Sequence, residues 1–182
     1  MQRDKRSKKL VLVAHCILNQ NSKVLGLAQH SSMIFELVNL LKEKDYGIVQ
    51  MSCPELTFAG LLRWSQTQEQ YDTPMFRQHC RKIAIQLVDQ VIGYVKNGIK
   101  VSAIIGIEGS PSCGVTRTYM GYKGGNIEKA RRSRKKLAEK PGIFIEELVS
   151  ELEKRGLSIS LYGLDETRIK QSIKEIALIL ES

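Results

Sequence analysis

The chain has 182 residues, 42% of them apolar and 26% charged, which is ordinary for a globular protein and enough for one well-buried domain rather than two. No apolar run approaches the roughly 20 residues that span a bilayer. The charged stretch Met1–Lys9 runs into a strand-like segment with no small-residue cleavage site, so the chain reads as cytoplasmic, without a signal peptide or a membrane partner. The net charge of +9 is local: residues 1–9 carry five bases and one acid, residues 129–136 six bases and no acid, and the rest is near neutral.

In chain order, Leu10–Ala14 is a continuous apolar run without alternation, the pattern of a strand buried on both faces. His15-Cys16 and a polar stretch, Asn19-Gln20-Asn21, follow it. A helix is predicted from Ser31 or Ser32, with Met33, Leu37, Leu40 and Leu41 on one face. Gly47–Met51 is a second strand, closed by Ser52-Cys53-Pro54-Glu55, and residues 56–73 read as a long loop. Thr73 and Pro74 then cap and open a helix through Phe76, Cys80, Ile83, Leu87, Val91 and Val95, ended by Asn97-Gly98.

Val101–Ile107 is the third strand, followed by Gly109-Ser110-Pro111-Ser112-Cys113-Gly114. Residues 116–125 are ambiguous, with Tyr119 and Tyr122 either lining a site or packing. Residues 126–140 form a basic segment, read as partly helical and mobile. Pro141 opens a helix ending at Gly156, Leu157–Leu161 is a fourth strand, and Asp165 or Thr167 leads into a closing helix. Strands alternating with helices predict a single α/β domain over 1–182: a mostly parallel sheet of about four or five strands with helices on both faces. The basic arm at 1–8 and the cluster at 129–136 could each meet tRNA or another polyanion, and the plainer reading of both is solvated surface.

Right-handed crossovers bring every strand's carboxyl end to one rim. Cys16, Cys53 and Cys113 each follow a successive strand, so all three face that rim, whereas Cys80 sits on the apolar stripe of a helix and reads as a core residue. No CxxC is present, and a reduced cytoplasmic chain would not pair these thiols. Convergent thiolates select zinc, copper(I) or iron–sulfur clusters. A structural zinc site wants a fourth ligand, and His15 should point away from Cys16 if strand geometry persists. A [4Fe–4S] cluster on three cysteines would leave one iron open to substrate. Without a metal, Cys113 could act as a nucleophile aided by Ser112 and backbone N–H groups, although His30 and His79 lack the context of a cysteine–histidine pair. A third alternative is an RNA-binding module whose cysteines are structural.

Cys16 after the first strand, Cys53-Pro54-Glu55 after the second and Ser110-Pro111-Ser112-Cys113-Gly114 after the third resemble the thiouracil desulfurase family over about residues 9–150. Gly60-Leu61 followed by Arg63 echoes the family, while Trp64 and Asn19-Gln20-Asn21 depart from it. The resemblance implies a Rossmann-like fold and an oxygen-sensitive [4Fe–4S] cluster held by Cys16, Cys53 and Cys113. Its non-bonded iron would take sulfur from a small thiolated substrate, such as a thiouracil-like base, without net redox chemistry. It further implies Glu55 as general acid/base, against a plainer reading as a turn residue bonded to backbone amides, with Ser110 or Ser112 positioning substrate or water.

Overall fold

Strand β1 (Lys9–Ala14) occupies the middle of the molecule, and from Leu10 onward none of its residues is more than 5% exposed. It lies parallel between β2 (Gly47–Met51) and β3 (Lys100–Ile107). A third parallel strand pair, between β3 and the last strand of the chain (Leu161–Leu164), completes a four-stranded sheet. The computed structural model describes residues 4–126, 128 and 135–180. The first three residues of the basic arm, and 127 and 129–134 of the basic segment, lie outside the described residues.

Helices follow where caps and apolar spacing dictate. Among the described residues the named α-helices are α1 (His15–Leu18), α2 (Phe35–Glu43), α3 (Pro54–Ala59), α4 (Gln68–Tyr71), α5 (Pro74–Lys96), α6 (Ile143–Lys154) and α7 (Ile169–Ile179). Thr73 caps α5 by accepting from Phe76 N at 3.2 Å, with Pro74 at the first helical position. α5 packs along α6, and α2 against α7. The chain thus moves outward to β2 through α2, then back across β1 to β3 through α5, and right-handed crossovers put these helices on different faces. Neighbouring strands β1 and β3 therefore leave the sheet toward different faces at their carboxyl ends. In open parallel sheets this switch point is where a cleft forms.

The α/β architecture is as predicted, and several boundaries are not. α2 begins at Phe35 rather than near Ser31, because Ile34 N is held by Ile17 O at 2.8 Å and is fully buried. The expected loop over 56–73 contains most of α3 and all of α4: Pro54, read as a strand stop, is the first residue of a helix. The last strand is Leu161–Leu164, later than the predicted Leu157–Leu161. Leu157 and Ile159 pack on the core before the ladder begins, and Ser160 O takes the bond from Ile104 N at 2.9 Å. A small antiparallel ribbon is new with respect to the sequence reading: β4 (Thr118–Met120) pairs with β5 (Lys136–Ala138) inside the basic segment. The Leu161–Leu164 strand is accordingly β6.

Candidate active site

β1, β2 and β3 each deliver one thiol to a cavity of about 580 Å³ at the carboxyl rim. That volume lies within the roughly 300–1,000 Å³ of small-molecule sites. Cys16 stands in the first turn of α1. Helical geometry takes over at His15, so His15 and Cys16 both line the cavity, contrary to the expectation that strand alternation would separate them. Cys53 is the N-cap of α3. Its Sγ accepts from Leu56 N at 3.4 Å, taking the place usually held by a serine or aspartate oxygen. Pro54 at the next position needs no amide partner, and Glu55 follows in the first turn, where a carboxylate complements the helix dipole.

Cys113 is placed by backbone packing around its loop. Ser110 Oγ accepts from Cys113 N at 3.0 Å and from Ser112 N at 3.3 Å, closing the turn from inside. The carbonyls of Pro111 and Ser112 accept from Ile143 N (3.1 Å) and Phe144 N (3.0 Å), so the loop caps the otherwise unpaired amides of α6. This approach needs Gly142: a Cβ there would stand 2.4 Å from the carbonyl carbon and oxygen of Ser112. Gly106 plays the same part beneath Cys113, where a Cβ would meet its carbonyl oxygen at 2.3 Å.

Glu55 is nearly buried, and side chains serve its carboxylate instead of the backbone amides that the turn reading required. Oε1 accepts from Ser112 Oγ at 2.6 Å and from Ser110 Oγ at 3.4 Å. Oε2 accepts from Arg63 Nε at 3.3 Å and from Tyr71 OH at 3.5 Å. Arg63 is itself buried and gives two further donors to Gly60 O (3.0 Å) and Ser22 O (2.7 Å), which ties the loop after β1 to the carboxylate. Ser112 Oγ also lies 3.6 Å from Cys113 Sγ. Ser112 has one hydroxyl proton, and both Glu55 Oε1 and Cys113 Sγ lie within its reach as acceptors, so the serine stands between the carboxylate and the thiol.

Burial pushes the Cys16 thiol up to about 12, with Lys23 pulling in the other direction and Cys53 adding to the rise. Burial, then the neighbouring Cys53 and Cys16, push Cys113 well above the ordinary thiol range, and burial followed by the Glu55 charge raises Cys53. Cys113 feels both other thiols and Cys16 feels Cys53, in keeping with three groups that line one cavity. None is poised as a free thiolate, which weighs against an isolated Cys113 nucleophile. His30 and His79 do not line the cavity; His79 Nε2 lies 2.8 Å from Thr57 Oγ1. Cys80 is fully buried in the core and away from the cavity.

Three unpaired thiols line one cavity and, among the described residues, no fourth joins them; such a donor set would leave one iron of a [4Fe–4S] cluster without a protein thiolate. A positively charged group among them would draw off the protons that burial otherwise retains. Among the described residues no group of three or more His, Cys, Asp or Glu side chains is placed to hold a metal ion.

Four further cavity side chains, Lys23, Arg117, Asp165 and Glu166, are not candidates from the sequence alone, whereas Tyr119 is one that could line a site. Lys23 pairs with Glu166, while Arg117 Nη2 reaches Asp165 Oδ2 at 2.9 Å; all four line the cavity. Asp165 and Glu166 come from the loop after β6, which the predicted strand had ended too early to place at the rim. Tyr119 of β4 and Leu137 of β5 bring the ribbon to the cavity mouth. Tyr122 packs edge-on to Trp64, with ring centroids 6.3 Å apart.

No family model matches the chain. The uncharacterised protein MJ0003 of Methanocaldococcus jannaschii is 34% identical over 154 residues, which cover 85% of this chain and 84% of the relative. Among solved structures, the [4Fe-4S]-dependent thiouracil desulfidase TudS is similar with a TM-score of 0.52 at 18% identity, covering 93% of this chain and 99% of that one. At that identity the likeness establishes the shared α/β fold.

Proposed function

The chain belongs to the family of the uncharacterised M. jannaschii protein, and we propose that it is an enzyme that removes sulfur from a small thiolated molecule with the help of a [4Fe–4S] cluster held by Cys16, Cys53 and Cys113. The observation that carries this reading is the delivery of three thiols from three strand ends into one cavity, with a buried carboxylate linked to one of them through a serine. The desulfidase activity named for the structural neighbour and the sequence resemblance point the same way. When bound, the cluster would supply a Lewis-acidic iron without a protein thiolate, open to a sulfur atom.

The net reaction is hydrolysis: a thiocarbonyl and water give a carbonyl and hydrogen sulfide, and no electrons change hands. The chain's part is to handle the water proton. Glu55 Oε1 takes it through Ser112 Oγ, with Ser110 Oγ as a second hydroxyl on the same oxygen. Arg63 and Tyr71 hold Oε2, so the carboxylate keeps its orientation while Oε1 works. Ile107 adds an apolar side chain to the cavity wall beside these groups.

The test is sulfide release. Protein reconstituted anaerobically with iron and sulfide, then given 2-thiouracil, 4-thiouridine and other thiolated bases, is expected to liberate hydrogen sulfide and the corresponding carbonyl compound. Cluster-loaded protein that releases no sulfide from any of them contradicts the proposal.

A further inference from the structure

The same cavity holds a second buried ion pair to which the reading above gives no part. Lys23 and Glu166 both line it, with only 14% and 8% of their side chains exposed. Lys23 leaves a short 3-10 turn, Gln20–Ser22, capped by Asn19, whose side chain accepts from Asn21 N at 3.1 Å. The Asn19-Gln20-Asn21 stretch therefore builds the turn that presents the ammonium. Glu166 arrives from the far end of the chain, in the turn after β6.

The pair is held from behind. Glu166 Oε2 accepts from Lys23 Nζ, and Oε1 accepts from Gln20 Nε2 at 3.3 Å. Gln20 is almost fully buried, and the same nitrogen donates to Cys16 O at 2.8 Å. Gln20 Oε1 accepts from Gln29 N at 3.2 Å, which fixes which way the amide faces. A buried ion pair is a costly way to join two loops, since apolar side chains of similar size often do so as well or better. An ammonium carries three donors, and Glu166 is the hydrogen-bond partner found for Lys23 among the described residues. Two donors of a nearly buried cation are thus left for whatever fills the cavity.

We propose that Lys23 contacts the substrate, donating from Nζ to an oxygen or nitrogen acceptor beside the sulfur-bearing carbon, while Glu166 and Gln20 act as positioning residues. The substrate class narrows accordingly to cyclic or amide-like thiocarbonyl compounds that carry such an acceptor; alkyl thiols and thioethers lack it. The inference rests on the desulfidase reading for the identity of the substrate. The contact itself is to a non-sulfur atom, so the sulfur-free product should depend on Lys23 as much as the thione does.

The experiment is calorimetric titration of cluster-loaded protein with 2-thiouracil and with uracil. It compares wild type, Lys23→Arg and the double variant Lys23→Gln/Glu166→Gln, which removes both charges and leaves no buried carboxylate uncompensated. The double variant is expected to bind both compounds at least about 10-fold more weakly, as for loss of a charge-assisted hydrogen bond. Lys23→Arg should retain most of the affinity, with iron content and melting temperature at wild-type values. Equal affinities in all three proteins would overturn the proposal. So would weakening confined to 2-thiouracil, failure of the wild type to bind either compound, or a double variant that loses iron or melts early. Sulfide release by the wild type is read separately: Lys23-dependent binding without sulfide release would overturn the desulfidase reading and leave the contact standing.

Discussion

Replacing Gly142 by alanine probes how the Cys113 loop is held. The backbone of Gly142 is extended (φ −72°, ψ 157°), so alanine meets no conformational penalty and removes some freedom from the unfolded chain, a gain of about 0.4–1 kcal/mol. The added Cβ, however, would stand 2.4 Å from the carbonyl carbon and oxygen of Ser112 and 2.9 Å from Cys113 N. All three are backbone atoms, so relief requires the loop and the start of α6 to separate. Overpacking of this kind costs about 1–3 kcal/mol. The bonds from Ile143 N and Phe144 N to the loop carbonyls would weaken with it, at about 1 kcal/mol each. A net loss of about 2–4 kcal/mol follows, which for a chain of this length lowers the melting temperature by about 5–15 °C. Because Cys113 moves with the loop, iron retained after reconstitution should fall as well. Gly93→Ala is the control: it lies inside α5, a Cβ there meets nothing within 4 Å, and about 0.5–1 kcal/mol of stabilisation is expected. Circular-dichroism melting and iron analysis read both variants. A Gly142→Ala protein that melts and loads iron like wild type would refute the reasoning.

Three further outcomes follow from the same geometry. Ser112→Ala cuts the link between Glu55 Oε1 and Cys113; turnover should fall by about 10²–10⁴-fold, as for loss of acid–base assistance, with iron content retained. Cys113→Ala should abolish iron binding, whereas Cys80→Ala should load iron normally and lower stability by about 1 kcal/mol, a contrast read by iron analysis alongside denaturant titration. For Asp165, burial pushes the carboxyl up, but hydrogen bonds from Thr167, Arg117 and Arg168 outweigh it and bring the pKa down to about 2. A folded-state value below the unfolded one contributes stability above about pH 4 that disappears as pH falls toward 2. Asp165→Asn should therefore destabilise at pH 7 and progressively less as pH falls through 2, a difference measurable by urea titration across that range.

The central strands and α5 were legible because their signals are local. Leu10–Ala14 is too uniformly apolar for anything but a strand buried on both faces, and Thr73-Pro74 marks a helix start by cap and φ alone. The three thiols were legible because parallel topology sends every strand end to one rim. What stayed hidden depends on partners remote in sequence. β4 and β5 are three residues each and exist by pairing across a long intervening segment. Residues 157–164 contain apolar positions throughout, and the ladder with β3 alone selects 161–164, so Asp165 and Glu166 were not placed at the cavity. Pro54 was read as an end to β2 when it is equally a first helical residue; the Glu after it was the available signal, since a carboxylate suits the first turn. The part of Gly142 appears only once α6 is seen docked on the Cys113 loop.

A cluster held by Cys16, Cys53 and Cys113 is read most directly as iron and acid-labile sulfide per chain after anaerobic reconstitution. About four of each is predicted for wild type, with Cys80→Ala unchanged and each of Cys16→Ala, Cys53→Ala and Cys113→Ala near zero. Wild-type protein that retains only trace iron, or variants at the three positions that load as wild type does, would contradict it.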